Sequence, residues 1–274
     1  MKVAKLYEVP DNDFRFNTKL LLMRIISFNL NFARNHDKLK DVIINNMIPE
    51  TIVCFQEASG SMYLFFEQYL RRELEPGTQI FATPLHKKVR GSIQYQSIIV
   101  SKVFDVQGVD NFRIKGIGSD PNKYIQKVRF EFEGQKFTLL NVHEFVQSFH
   151  SWNLPKRSLE SMFGKMDKNR INLMVGDFNF NVSNYRRMLR KCGVLELSHG
   201  VKQNFTLSFQ NLLTTILRKP LDLTKNNFKI LRYKRDAFMI STKKKFTDKV
   251  RNIETPYSDH DLMILDIEFR GINT

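Results

Sequence analysis

Cysteine is almost missing from this chain: Cys54 and Cys192 are the only two. Cys54 lies inside an apolar run and Cys192 on an amphipathic stripe, so both read as small core residues. That excludes a disulfide framework and makes a reducing, intracellular setting, cytoplasm or nucleus, the expectation. Long apolar runs are missing too. None reaches the length of a membrane span, and Met1 to Phe14 lacks the apolar segment of a secretory leader. No internal repeat, low-complexity tract or compositional break appears, so no linker is marked. Acidic charge is short as well. The 28 Asp and Glu face 43 Lys and Arg, leaving a formal charge of +15. Such an excess points to a polyanionic partner: nucleic acid, an anionic membrane surface or a phosphorylated small molecule.

What is present is enough apolar residue for a sizeable core, 42% of 274. One domain over 1–274 is expected, with 1–19 as a peripheral N-terminal extension and a monomer as the working unit. Buried strands are predicted within Leu20–Leu30, Thr51–Phe55, Gln79–Ala82, Ser97–Val100, Ile171–Val175, Ala237–Ile240 and Leu262–Phe269. Val128 to Phe132 alternates apolar with charged residues and pairs as a hairpin with Phe137–Val142. Apolar stripes predict helices over Asn35–Met47, Met62–Leu70, the segment after Pro155, and Tyr185–Cys192 with Gly193 as its cap. Val109–Asn122 reads as loop, and Leu195–Asn227 is the least legible region, with a short helix at Leu212–Leu217. Strands alternating early with helices and later with hairpins suit a mixed α/β sandwich.

The chemistry gathers where apolar strands end. At Gly176-Asp177-Phe178-Asn179 a buried strand stops, and a carboxylate and an amide stand two residues apart. In extended chain that spacing puts both heads on one side, with Phe178 as an anchor on the other. Asn29, Glu57, His143, Asp236, Asp259 and His260 likewise sit at strand boundaries. Each has a plain structural reading alone: a turn cap, a lysine partner, a satisfied core histidine. Glu57 differs in following a Val-Cys-Phe run, where a buried carboxylate needs a partner.

Taken in order, Ser27-Phe28-Asn29, Gln56-Glu57, Asn141-Val142-His143, Gly176-Asp177-Phe178-Asn179, Arg235-Asp236 and Ser258-Asp259-His260 resemble the endonuclease/exonuclease/phosphatase superfamily. The resemblance runs from about residue 24 to 269. It implies the DNase I-like fold, a four-layered α/β sandwich of two packed mixed sheets with helices on the outer faces. It also implies a divalent metal, Mg²⁺ or in its place Mn²⁺, and hydrolysis of a phosphate ester. By the same resemblance Glu57 is the principal metal ligand, with Asn29 and Asp259 beside it. Asp177 holds the attacking water, and Asn179 contacts a phosphate oxygen or orients Asp177. His260 contacts the scissile phosphate and Asp236 fixes its tautomer. His143 binds another phosphate oxygen or protonates the leaving group.

A histidine at 143 is similar to the DNase I-like, sphingomyelinase, inositol-polyphosphate phosphatase, deadenylase and tyrosyl-DNA phosphodiesterase branches. The sequence departs from the last at Glu144-Phe145. Charge then favours nucleic acid. Arg186, Arg187 and Arg190 follow the Asp177 loop, and Lys234 and Arg235 precede Asp236 among aromatic Phe228 and Tyr233. Such residues neutralise backbone phosphates and stack on bases. The expectation is a phosphodiesterase acting on DNA or RNA. The alternatives are a phosphatase or phospholipase acting on inositol phosphates or sphingomyelin, and a non-catalytic nucleic-acid-binding module. Lys243–Lys245 forms a further basic cluster with no assigned role.

Overall fold

The computed structural model describes residues 19–30, 36–60, 67–68, 72–89, 92–114, 123–143, 154–198, 205–208, 229–233 and 235–272. Its first six-stranded sheet contains β1 (Lys19–Asn29), β2 (Thr51–Ser59), β3 (Gln79–Val89), β4 (Ser92–Val100), β13 (Phe246–Ile253) and β14 (Leu262–Ile272). Their order across the sheet is β13-β14-β1-β2-β4-β3. The second contains β5 (Asp105–Ile114), β6 (Lys123–Phe132), β7 (Gln135–His143), β8 (Ile171–Asp177), β9 (Leu195–Glu196) and β12 (Asp236–Ser241). They run in the order β5-β6-β7-β8-β12-β9. A separate antiparallel pair joins β10 (Phe205–Ser208) to β11 (Lys229–Tyr233).

Each sheet holds one parallel pair, β1 with β2 and β7 with β8. Parallel neighbours need a crossover, which helix α1 (His36–Ile44) provides in the first sheet and α2 (Leu154–Phe163) in the second. A short helix α3 (Arg186–Lys191) follows β8. Among the described residues, no helix is long and apolar enough to cross a membrane.

The strands of this core are apolar on both faces because both faces are covered. Within β1, Met23 and Ile25 join an inter-sheet cluster with Ile98, Leu139, Val175 and Phe238. Their neighbours Ile26 and Phe28 turn outward onto Leu39 and Ile43 of α1. In the second sheet, Leu140, Val142 and Met174 turn outward onto Leu159 and Met162 of α2 and Leu189 of α3. These clusters define the layers helix, sheet, sheet, helix: the expected DNase I-like α/β sandwich. Phe137 knits the sheets together, stacking on Phe130 at 5.1 Å and meeting Phe269 edge-on at 5.5 Å.

Some predicted boundaries shift. The segment read as loop from Val109 belongs to β5 as far as Ile114, and 115–122 lie outside the described residues. A register shift between Val106 and Gly108 breaks the strict alternation that would have marked this strand. The charged edge strand β13 was not expected; its charge blunts an exposed edge and hides the apolar period. Cys192 is exposed at the end of α3 and is no core residue, whereas Cys54 is buried and its thiol is pushed up by that burial. Of the extension expected at 1–19, Lys19 opens β1 and the rest lies outside the described residues, as do the helix at Leu212–Leu217 and most of the Met62–Leu70 helix.

Candidate active site

The topology delivers polar residues to one rim. The parallel strands all finish there: β1 at Asn29, β7 at His143, β8 at Asp177. Antiparallel partners begin there, β12 at Asp236 and β14 just after His260. In register, His143, Asp177 and Asp236 form a row across three neighbouring strands. Asn29 stands opposite Gln56 in the facing sheet.

Glu57 reaches this rim through a break in its strand. A bulge between Phe55 and Ala58 leaves Glu57 at φ 54°, in the left-handed region that costs a side chain about 1–3 kcal/mol. Consecutive strand residues ordinarily face opposite ways. Here both Gln56 and Glu57 engage the second sheet: Gln56 Nε2 donates to Asn141 Oδ1 at 2.8 Å, and Glu57 Oε1 lies 2.9 Å from His143 Nε2.

Asp177 is held through both oxygens. Asn29 Nδ2 donates to Oδ2 at 2.9 Å, and the backbone N–H of Asn179 donates to Oδ1 at 2.7 Å. Asn179 also has φ 54°, and its Oδ1 accepts from Arg235 Nη1 at 3.0 Å. The loop is anchored by Phe178 and Phe180, both buried against α3. Gly176 permits the approach: its φ is 133°, and a Cβ there would lie 2.1 Å from the carbonyl oxygen of Val142.

His260 bridges the sheets from the other side. Its Nδ1 lies 2.8 Å from Asp236 Oδ2, and its Nε2 lies 3.8 Å from Asp177 Oδ2. Its backbone N–H donates to Ser258 Oγ at 3.2 Å, while that hydroxyl donates to the carbonyl oxygen of Asn29 at 3.1 Å. Burial alone would lower the imidazole. The charge and hydrogen bond of Asp236, joined by Asp177 and Asp259, outweigh it and push His260 up to about 10. Burial also raises Asp236, against the pull of His260.

Asp259 is 7% exposed, and its Oδ1 has no hydrogen-bond partner among the described residues. Burial, opposed by His260 and reinforced by the charges of Glu57 and Asp177, pushes its carboxyl up to about 7. Buried anionic oxygen with a missing partner, shared among several carboxylates, is the environment a cation relieves. Glu57, Asp259 and Asn29 offer oxygen donors that suit a hard divalent ion. Asp177, Asp236 and His260 also bring three potential ligand atoms within 4.8 Å of one another. There the imidazole is already engaged with Asp236, and nitrogen is the poorer donor for such an ion.

The structure therefore brings together Asn29, Glu57, His143, Asp177, Asn179, Asp236, Asp259 and His260. Arg235 is tied to Asn179 within the rim. Arg186, Arg187 and Arg190 stand exposed on α3, and Lys234 lies outside the described residues. Two supporting residues had no role assigned from sequence. Ser258 links the His260 and Asn29 backbones. Asn141 staples the sheets, donating to the carbonyls of Phe55 and Ser97 at 3.1 Å each and accepting on its own carbonyl from Gln96 Nε2 at 2.7 Å. The available signal was an amide inside an otherwise apolar strand, two residues before His143.

A two-sheet sandwich with its carboxylates, amides and imidazoles gathered at one rim defines a DNase I-like architecture. No protein-family model and no curated protein matches the chain. Solved structures do. An endonuclease/exonuclease/phosphatase family protein from Leptotrichia buccalis aligns at TM-score 0.67 and 14% identity, over 90% of this chain and 100% of that one. TDP2 of D. rerio, complexed with a single-strand DNA product, aligns at TM-score 0.66 and 14% identity, over 90% and 98%. The human Nocturnin catalytic domain with bound sulfate anion aligns at TM-score 0.62 and 13% identity, over 93% and 98%. The chain has the fold these proteins share.

Proposed function

We propose that the chain is a divalent-metal-dependent phosphodiesterase that hydrolyses nucleic-acid phosphodiester bonds. The observation that carries this reading is the rim itself: a bidentately held Asp177, an Asp236–His260 pair and the partnerless buried oxygen of Asp259 converge from both sheets. In-line attack on phosphorus needs a positioned water, charge on the equatorial oxygens and help for the leaving oxygen. Asp177, fixed by Asn29 and Asn179, holds and orients the water. His260, kept cationic by Asp236, directs Nε2 at the same place and neutralises developing phosphate charge. Arg235 takes the carbonyl side of the Asn179 amide, which presents the amide nitrogen as the donor to a phosphate oxygen. His143, paired with Glu57, serves the leaving oxygen. Glu57, Asn29 and Asp259 would hold Mg²⁺ or Mn²⁺, which when bound supplies Lewis-acid charge to the phosphate.

Nucleic acid is favoured as the substrate by the +15 charge and by the exposed arginines of α3. The DNA-bound TDP2 neighbour is in keeping with it. The test is incubation with labelled single-stranded DNA, RNA, 5′-tyrosyl DNA and inositol phosphates, each with Mg²⁺ and with chelator. Chelator-sensitive cleavage of a nucleic acid is expected. Turnover of inositol phosphates alone would replace the substrate, and binding without cleavage under any metal would leave a non-catalytic module.

A further inference from the structure

The basic cluster Lys243–Lys245 finds its setting at the far end of the second sheet. A cleft of about 850 Å³ opens there, within the size range of small-molecule pockets. It is lined by chain segments distant in sequence: Lys136 opening β7, Lys168 and Arg170 before β8, and Lys243 and Lys244 after β12. All four lysines are exposed. Outside the cleft, Glu131 of β6 stands opposite Lys136 and accepts from Gln107 Nε2 at 3.1 Å; within the cleft little of the charge is cancelled. Asp167 is the one carboxylate lining the cleft among the described residues, and it is already engaged by Lys127 Nζ at 2.9 Å and Thr138 Oγ1 at 2.7 Å. Arg170 donates to neutral oxygens, the Phe137 carbonyl at 3.2 Å and Gln107 Oε1 at 2.7 Å. Lys244 donates to another, Gln135 Oε1.

The sheet fixes the spacing of these cations. Phe137 stands opposite Ile171, and Asn172 opposite Ser241. Lys136 opens β7 and Lys243 lies two residues beyond the end of β12, and these strands are two places apart, about 10 Å at ordinary strand spacing. Four exposed lysines across that width carry more positive charge than a single phosphate answers, and two or three linked phosphates match it.

We propose that this cleft is a second anion site, separate from the carboxylate rim, which takes a run of linked phosphate groups. Such a run comes either from a free oligophosphate or from a nucleic-acid backbone. The site lies one strand length from Asp177, about 20 Å along β8, so its occupation neither requires nor blocks the rim.

The test is calorimetric titration of the full chain with inorganic tripolyphosphate at physiological salt, with chelator present. One site per chain is expected. The double variant Lys136→Glu/Lys243→Glu should lose at least about tenfold in affinity. The double variant Lys249→Glu/Arg270→Glu, which makes the same charge change on the first sheet, should stay within about twofold. Glu57→Ala should bind as the parent does. Circular dichroism confirms that each variant is folded, and Lys136→Gln/Lys243→Gln replaces any that is not. A single-stranded oligonucleotide that displaces tripolyphosphate identifies the backbone as the source; failure to displace identifies free oligophosphate. No binding by the parent, equal loss in both double variants, or loss in Glu57→Ala would each overturn the proposal. None of these outcomes bears on cleavage at the rim, so the two readings fail separately.

Discussion

At its last residue, Asp177, β8 comes to 3.8 Å from His260, which itself lies 2.8 Å from Asp236, with Asp259 buried close by. At its first residues, Ile171 and Asn172, the same strand borders a cleft lined by exposed lysines. One end is a buried concentration of anionic oxygen and the other an open concentration of cations. Net charge therefore does not locate the chemistry. The +15 excess resides partly at the end remote from the rim, and the rim, beyond His260 and Arg235, calls for a further cation. The two ends also differ in how they are held. Rim residues are locked across both sheets, while the far lysines rise from turns and strand starts.

The sharpest break in the comparison comes from the imidazole. Asp236→Asn removes the charge that holds His260 cationic, and cleavage of a labelled oligonucleotide should fall by on the order of 10³-fold. The same protein should keep its tripolyphosphate affinity; loss of both would mean that the two ends are not independent. Next is Gly176→Ala. A Cβ pointing at the Val142 carbonyl from 2.1 Å, at φ 133°, should destabilise by roughly 3 kcal/mol or more. Chemical denaturation measures it, and a change below about 1 kcal/mol would contradict the described approach of β8 to β7.

Asp259 tests the rim in the opposite direction. Its folded value, about 7, stands above the unfolded one. The folded state therefore holds the proton more tightly, and that advantage, full below about pH 4, is lost as pH rises through about 7. Asp259→Asn should accordingly stabilise the metal-free protein by on the order of 2 kcal/mol near pH 8 and by almost nothing near pH 3.5. Adding Mg²⁺ should raise the melting temperature of the parent and not of the variant. A parent that is no less stable near pH 8 than its variant would show that the carboxylate crowding is not costly. The smallest effect belongs to α3: in a salt titration of oligonucleotide binding, Arg187→Ala should reduce the salt slope by about one unit, weaken binding by less than about tenfold, and leave stability within about 0.5 kcal/mol.

How much of this was legible in the sequence follows from the kind of signal each part leaves. The central strands are apolar on both faces, so Ile171–Val175 and Ala237–Ile240 read plainly as runs. Polar residues that close such runs, Asp177 and His143 among them, stand out because nothing in a core explains them. The bulge at Glu57 did not show, since a left-handed residue other than glycine carries no local mark. Nor did β5, where a register shift scrambles the alternation, nor β13, whose apolar residues are diluted by edge charge. The Asn141 staple was visible as an amide in a strand, but its partners Phe55, Gln56, Gln96 and Ser97 come from two other strands. The lysine cleft was invisible for the same reason: sequence displayed three adjacent lysines, and only the fold placed Lys136 and Lys168 beside two of them, Lys243 and Lys244.

The most direct measurement is single-turnover cleavage of a labelled oligonucleotide by the parent and by Glu57→Gln, each with Mg²⁺ and with chelator. The account predicts cleavage by the parent with Mg²⁺ alone and a fall of on the order of 10³-fold or more in the variant. Cleavage that survives both chelator and the Glu57→Gln substitution would contradict it.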